Sequence, residues 1–147
     1  MIAGMARPVI PVANPDTKPF WEGCARGELL LQRCTGCGAY RHPPAPICPH
    51  CLSAAHDWIR ASGRGTVYTF VVVRETRARG WDQMVPYVPA VIELEEGPRI
   101  LTDMTNVAPE EVAIGMPVEV TFAELDGTTR LPLFQPRSRK ERADGER

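Results

Sequence analysis

Two cysteine pairs, Cys34-Thr35-Gly36-Cys37 and Cys48-Pro49-His50-Cys51, stand ten residues apart, and a fifth cysteine, Cys24, stands alone. A Cys-x-x-Cys turn lets two sulfurs reach one ion while backbone amides point at them, and four thiolates hold zinc tetrahedrally at about 2.3 Å. Gly36 and Gly38 give the first turn its backbone freedom, and Pro49 presets the second. Cys34, Cys37, Cys48 and Cys51 are therefore the expected ligands of a structural zinc ion. Four protein sulfurs close the coordination shell and leave no position for water or substrate, so the ion's role is folding rather than catalysis. A segment this short cannot bury enough core by itself, and metal binding supplies the difference. Iron in a rubredoxin-like electron-transfer site is the alternative, but no flavin or haem motif accompanies it. His42 and His50 lie close enough in sequence to replace a ligand; a surface position or a supporting contact is the plainer reading of each.

Other chemistry finds no candidates. Cys24 lacks an assignable base and an electropositive setting, so it reads as a core residue packed with Phe20. No nucleophile-elbow serine and no phosphate-binding Gly-x-x-x-x-Gly-Lys loop occurs. Glu95-Glu96 and Glu110-Glu111 sit at a turn and a helix start, where solvation explains them. No residue is assigned a catalytic role. The 147 residues carry 17 Lys plus Arg against 18 Asp plus Glu, a balance that argues against a chain built to grip phosphate backbones. The longest apolar run, around Val71-Val72-Val73, is far shorter than a bilayer crossing. Met1 to Pro11 lacks the pattern of a secretory signal, so a cytoplasmic location is expected, where paired cysteines bind metal rather than form disulfides.

The elements that must position the cysteines follow from pattern. Residues 14–27 read as a short helix: Asp16 or Thr17 caps it, Pro19 fits the first turn and Gly27 stops it. Phe20 and Cys24 share one face, with Trp21 and Ala25 beside them. A strand over residues 29–32 leads into the first cysteine pair, and the region from Arg33 to about Trp58 reads as proline-rich loop. Fifteen prolines, about twice the usual share, favour short strands and loops throughout. From Ser62 onward strands are expected at residues 66–74, 88–95, 100–105, 118–124 and 131–135, with a helical turn or two at 109–114. In the second of these Val88, Ala90, Ile92 and Leu94 face one way and Val91, Glu93 and Glu95 the other. Asp126-Gly127 makes a hairpin turn. Five short strands with a small helix between the third and fourth point to an OB-type barrel. The expected class is mainly β: an N-terminal helix plus rubredoxin-like zinc ribbon followed by a five-stranded OB-fold barrel. The organisation reads as an N-terminal extension (1–13), helix and ribbon (14–61), barrel (62–136) and a charged tail (137–147).

The order Pro19-Phe20-Trp21-Glu22, Gly27-Glu28-Leu29, Cys34-x-x-Cys37-Gly38 and Cys48-Pro49-x-Cys51, continued by Gly63-Arg64-Gly65-Thr66-Val67, Pro86-Tyr87-Val88, Glu93 through Arg99 and Ile114-Gly115-Met116-Pro117-Val118, resembles the DUF35 family of acyl-CoA-associated proteins. The similarity covers roughly residues 15 to 136. One departure is Leu52, where rubredoxin-like second knuckles often carry glycine. The resemblance implies a non-catalytic accessory subunit of a hetero-oligomer. Its partner would be a thiolase-fold enzyme, a thiolase or a retro-aldolase acting on an acyl-CoA, and some members pair with hot-dog-fold hydratases. Catalytic side chains would then belong to the partner.

Two surfaces are candidates for that contact. The longest connection in the barrel, residues 75–86, carries Arg77, Arg79 and Trp81; arginine fits phosphates bidentately and Trp81 offers a face for adenine, which would suit CoA. The N-terminal helix offers Phe20 and Trp21. The rival class is a single-stranded nucleic-acid module, since ribbons and OB barrels both bind strands, but the outward glutamates Glu93, Glu95, Glu119 and Glu124 would repel phosphate.

Overall fold

The computed structural model describes residues 9–78 and 80–138. Helix α1 spans Lys18–Ala25, shorter than the pattern suggested. Its entry is fixed by a reciprocal loop: the Thr17 amide donates to Asn14 Oδ1 at 2.9 Å and the Asn14 amide to Thr17 Oγ1 at 3.0 Å. Its exit is a Schellman turn, with the Glu28 amide reaching the Gly23 carbonyl and the Gly27 amide the Cys24 carbonyl. Gly27 holds φ +77°, the left-handed state that this motif needs. The helix buries Phe20, Gly23 and Cys24 and packs on the first strand of the ribbon and the last of the barrel.

Three short strands make the ribbon sheet: β1 (Leu30–Cys34), β2 (Tyr40–Arg41) and β3 (His56–Arg60), in the antiparallel order β2-β1-β3. Both faces of β1 are covered, Leu31 on one side and Gln32 and Cys34 on the other.

Five antiparallel strands form the barrel: β4 (Arg64–Phe70), β5 (Pro89–Leu94), β6 (Arg99–Asp103), β7 (Pro117–Glu124) and β8 (Arg130–Pro136), in the order β6-β5-β4-β7-β8. The sheet curls until its edges meet in a parallel bridge between Met104 and Phe134, sealed where the Thr105 amide donates to the Phe134 carbonyl. Ala90, Ile92 and Leu94 alternate inward as the pattern required, joined by Val88, Val67, Ile100, Val118 and a fully buried Phe134. No helix among the described residues is long and apolar enough to cross a membrane.

Three expectations needed correction. Strands β2 and β3 lie in the segment read as loop. Strand β4 ends at Phe70, and beyond it the chain keeps only a bridge between Val73 and Tyr87. Within β4 itself a bulge falls between Val67 and Thr69; Val67 is the core residue and Tyr68 lies outside under the Arg99 guanidinium. The expected helix at 109–114 is a single 3-10 turn, Pro109–Glu111, because Val112 turns extended to bury its side chain in the core.

Candidate metal centre and groove

Strand β1 delivers Cys34 to the first knuckle, which closes when the Gly38 amide donates to the Cys34 carbonyl at 2.8 Å, with Gly38 at φ +76°. The second knuckle repeats this: the Leu52 amide donates to the Cys48 carbonyl at 2.9 Å, with Leu52 at φ +62°. The first cysteine of each pair is anchored from outside its turn, Cys34 by the Ala39 carbonyl and Cys48 by the Ser53 carbonyl.

The two turns face one another and gather all four sulfurs within 4.8 Å. Cys34 Sγ lies 3.5 Å from Cys51 Sγ, and Cys37 Sγ lies 3.7 Å from Cys48 Sγ. A tetrahedron of thiolates at zinc–sulfur distance has edges of about 3.8 Å, close to these two separations, so the set suits a tetrahedral ion. Backbone amides of Cys51 and His50 hold the Cys48 thiol down to about 6, and the Cys37 amide lowers Cys34. Cys51 goes the other way: its backbone bond at Ser53 lowers it, but the neighbouring sulfurs push it up to about 11, so the four ionise together only with a cation between them. His42 and His50 lie outside the sulfur cluster. Cys24 is fully buried and its thiol is pushed up to about 12 by that burial, which removes it as a nucleophile.

The second feature is a groove of about 630 Å³ where α1, the loop between the knuckles, the 75–86 connection and the seam between β6 and β8 converge. Phe20, Trp21 and Trp81 all line it, so the aromatic candidates from two distant segments share one site. Trp81 is tilted against Tyr87 with ring centroids 5.2 Å apart. Arg77 is exposed and does not line the groove; Arg79 lies outside the described residues. No described lining residue is Lys or Arg.

Two titratable groups lie in this wall: His42, which the sequence offered only as a stand-in metal ligand or a surface or supporting histidine, and Asp103, which it did not offer at all. His42 is pushed down to about 4 by burial, and its Nδ1 is buried without a partner. Burial likewise raises Asp103. The groove position of neither is visible in the sequence, because each becomes a groove residue only when the ribbon docks on the barrel.

Two family models match in tandem: the ChsH2 rubredoxin-like zinc ribbon domain over residues 21–57 and the ChsH2 C-terminal OB-fold domain over residues 58–123. A DUF35 domain-containing scaffold protein of Methanocaldococcus jannaschii is 42% identical over 98 residues, covering 66% of this chain and 69% of that protein. The chain belongs to the DUF35 family. Its ribbon is thus a zinc ribbon, and the zinc has a structural role. Among DUF35 relatives, a probable enoyl-CoA hydratase alpha subunit of Thermomonospora curvata is 39% identical over 126 residues, covering 86% of this chain. The 3-oxo-4,17-pregnadiene-20-carboxyl-CoA hydratase alpha subunit of Mycobacterium tuberculosis is 41% identical over 114 residues, covering 78%. The chain spans only 39% and 36% of the lengths of these two subunits. A solved structure, described as Ltp2-ChsH2(DUF35) aldolase, superposes with a TM-score of 0.79 at 38% identity, covering 86% of this chain and 98% of the matched one.

Proposed function

We propose that this DUF35 chain is a non-catalytic, zinc-stabilised accessory subunit of an acyl-CoA-processing complex. Its partner in this reading is a thiolase-fold enzyme that forms or cleaves a carbon–carbon bond. Cys34, Cys37, Cys48 and Cys51 ligate the zinc. The carrying observation is that four sulfurs at tetrahedral spacing fill the coordination shell, leaving the ion no open position at which to activate water or polarise a carbonyl. The similarity to the ChsH2 chain of an aldolase, nearly the whole of which is matched, supports a carbon–carbon bond enzyme as the partner. The similarity to hydratase alpha subunits supports acyl-CoA as the substrate class.

The division into ribbon (14–61) and barrel (62–136) places the groove between the two, with Phe20, Trp21 and Trp81 as its contact residues. An apolar wall holding an acid and no described cation favours a partner's apolar segment or an acyl chain over the nucleotide end of CoA. Arg77, if it meets phosphate, does so from outside this wall.

Co-expression with the candidate thiolase-fold subunit tests the reading. The expected result is a co-purifying complex that turns over acyl-CoA, while this chain alone does not. Thioester turnover by the isolated chain would overturn it. So would loss of association failing to follow Trp21→Ala combined with Trp81→Ala.

A further inference from the structure

The ribbon buries a positive charge with no negative partner. Arg41 on β2 is 6% exposed. Its Nε donates to Gln32 Oε1 at 2.7 Å, its Nη2 donates to the Ala45 carbonyl at 2.9 Å, and its buried Nη1 has no partner. No carboxylate among the described residues pairs with it. A guanidinium keeps its proton even when buried, so this is a permanent cation in a low-dielectric setting held by neutral acceptors alone. Such a charge is costly unless an opposite charge lies near.

The strand register shows where that charge lies. Gln32 stands opposite Arg41, and Cys34 stands opposite His56. Residues two apart on a strand share a face, as do directly opposed residues of an antiparallel pair. Arg41, Gln32, Cys34 and His56 therefore line one face of the ribbon sheet, and the metal thiolates begin on that face. Zinc held by four thiolates carries a net charge of about −2. From the other side, the Arg41 contact at Ala45 falls three residues before Cys48, on the approach to the second knuckle.

We propose that Arg41 is the internal counter-cation of the zinc thiolate centre, with Gln32 as its neutral positioning residue. Gln32 Oε1 accepts from both Arg41 Nε and the Ala45 amide. Its amide nitrogen lies 3.2 Å from His56 Nε2. His56 Nδ1 lies 3.0 Å from the Ala54 carbonyl, which can only accept, so Nδ1 donates there and Nε2 accepts from Gln32. The side chain at position 32 thus accepts two hydrogen bonds and donates one without carrying charge. An acid at this position would neutralise Arg41 locally; glutamine orients the guanidinium and leaves its field to the sulfurs.

The test is zinc affinity, measured by competition with a chromophoric chelator, in the wild-type chain and in Arg41→Lys, Arg41→Gln, Gln32→Glu and Gln32→Met. The Co²⁺-substituted absorption of each reports whether the tetrahedral thiolate geometry survives. Arg41→Lys, which keeps the charge, is expected to stay within about threefold of wild type. Arg41→Gln and Gln32→Glu, which remove or neutralise it, are expected to bind zinc about 10- to 100-fold more weakly with the Co²⁺ spectrum unchanged. Gln32→Glu decides the case if Arg41→Gln does not fold, because it strengthens the hydrogen bond to Arg41 while cancelling the charge. A merely structural Arg41 predicts that Gln32→Glu binds zinc no more weakly than Gln32→Met, which also loses the donor to His56 but adds no charge; that outcome overturns the proposal, as does equal weakening by Arg41→Lys and Arg41→Gln. The inference rests on the zinc reading, and the two fail separately: a wild-type chain without stoichiometric zinc sinks that reading, whereas affinities that ignore charge sink only this one.

Discussion

Leu52→Gly is expected to stabilise the zinc-loaded protein, against the usual direction of a leucine-to-glycine change. The two knuckles close through the same hydrogen bond, but Gly38 occupies the left-handed position in one and Leu52 in the other. A residue with a Cβ at φ +62° carries roughly 1–2 kcal/mol of steric strain. Leu52 is 77% exposed, so its removal forfeits little burial. Glycine returns about 0.4–1 kcal/mol to the unfolded chain as entropy. The difference favours glycine by about 0.5–1 kcal/mol, or about 1–4 °C in Tm for a chain of this size. Thermal unfolding with zinc in excess, followed by circular dichroism, is the assay, and Gly38→Ala is the reciprocal control, expected to cost about 1 kcal/mol. A Leu52→Gly protein that melts several degrees below wild type would refute the reasoning and show that the exposed leucine makes a contact worth more than its strain.

Three further outcomes follow from burial. Phe134→Ala, at the seam where β6 meets β8, is expected to lose about 3–5 kcal/mol in urea unfolding, since Phe134 is fully buried; a loss under 1 kcal/mol would mean the barrel closes without it. Cys24 is expected to resist a thiol reagent at pH 8 in the zinc-loaded protein and to react at once in denaturant, because its thiol is held near 12; native-state labelling at the rate of a free cysteine would contradict this. His42, held at about 4 in the folded state against 6.5 unfolded, contributes stability that is present above pH 6.5 and fades as pH falls towards 4, because the unfolded chain takes up the proton first. His42→Gln should therefore flatten that limb of the stability curve relative to wild type, and superimposable limbs would show that His42 is accessible to protons in the native state.

Much of the architecture was legible because it rests on short-range signals. The cysteine spacing announced two facing turns, and the period-two run from Val88 to Leu94 announced a strand with one buried face. What stayed hidden depends on partners distant in sequence. Strand β2 is two residues long and exists only as pairing with β1, while β3 (His-Asp-Trp-Ile-Arg) has no apolar alternation to betray it. The bulge between Val67 and Thr69 is set by pairing with β5. The groove was half visible: Phe20, Trp21 and Trp81 stood out as aromatics, but Leu101, Asp103 and Leu131–Leu133 join them only after the barrel closes. Arg41 offered no hint, since an arginine beside tyrosine on a short strand reads as solvated until burial is known.

His42, Pro43 and Pro44 form part of the groove wall, and they belong to the ten-residue stretch whose two ends are fastened by Cys37 and Cys48. Whatever the groove receives therefore leans on a wall that the zinc holds taut. By thermodynamic reciprocity, an occupant that needs this wall must raise the affinity for the ion by the same factor that the ion improves its hold. A partner enzyme seated there would act as a guardian of the metal, and a chelator would act as an antagonist of the assembly without touching either contact surface.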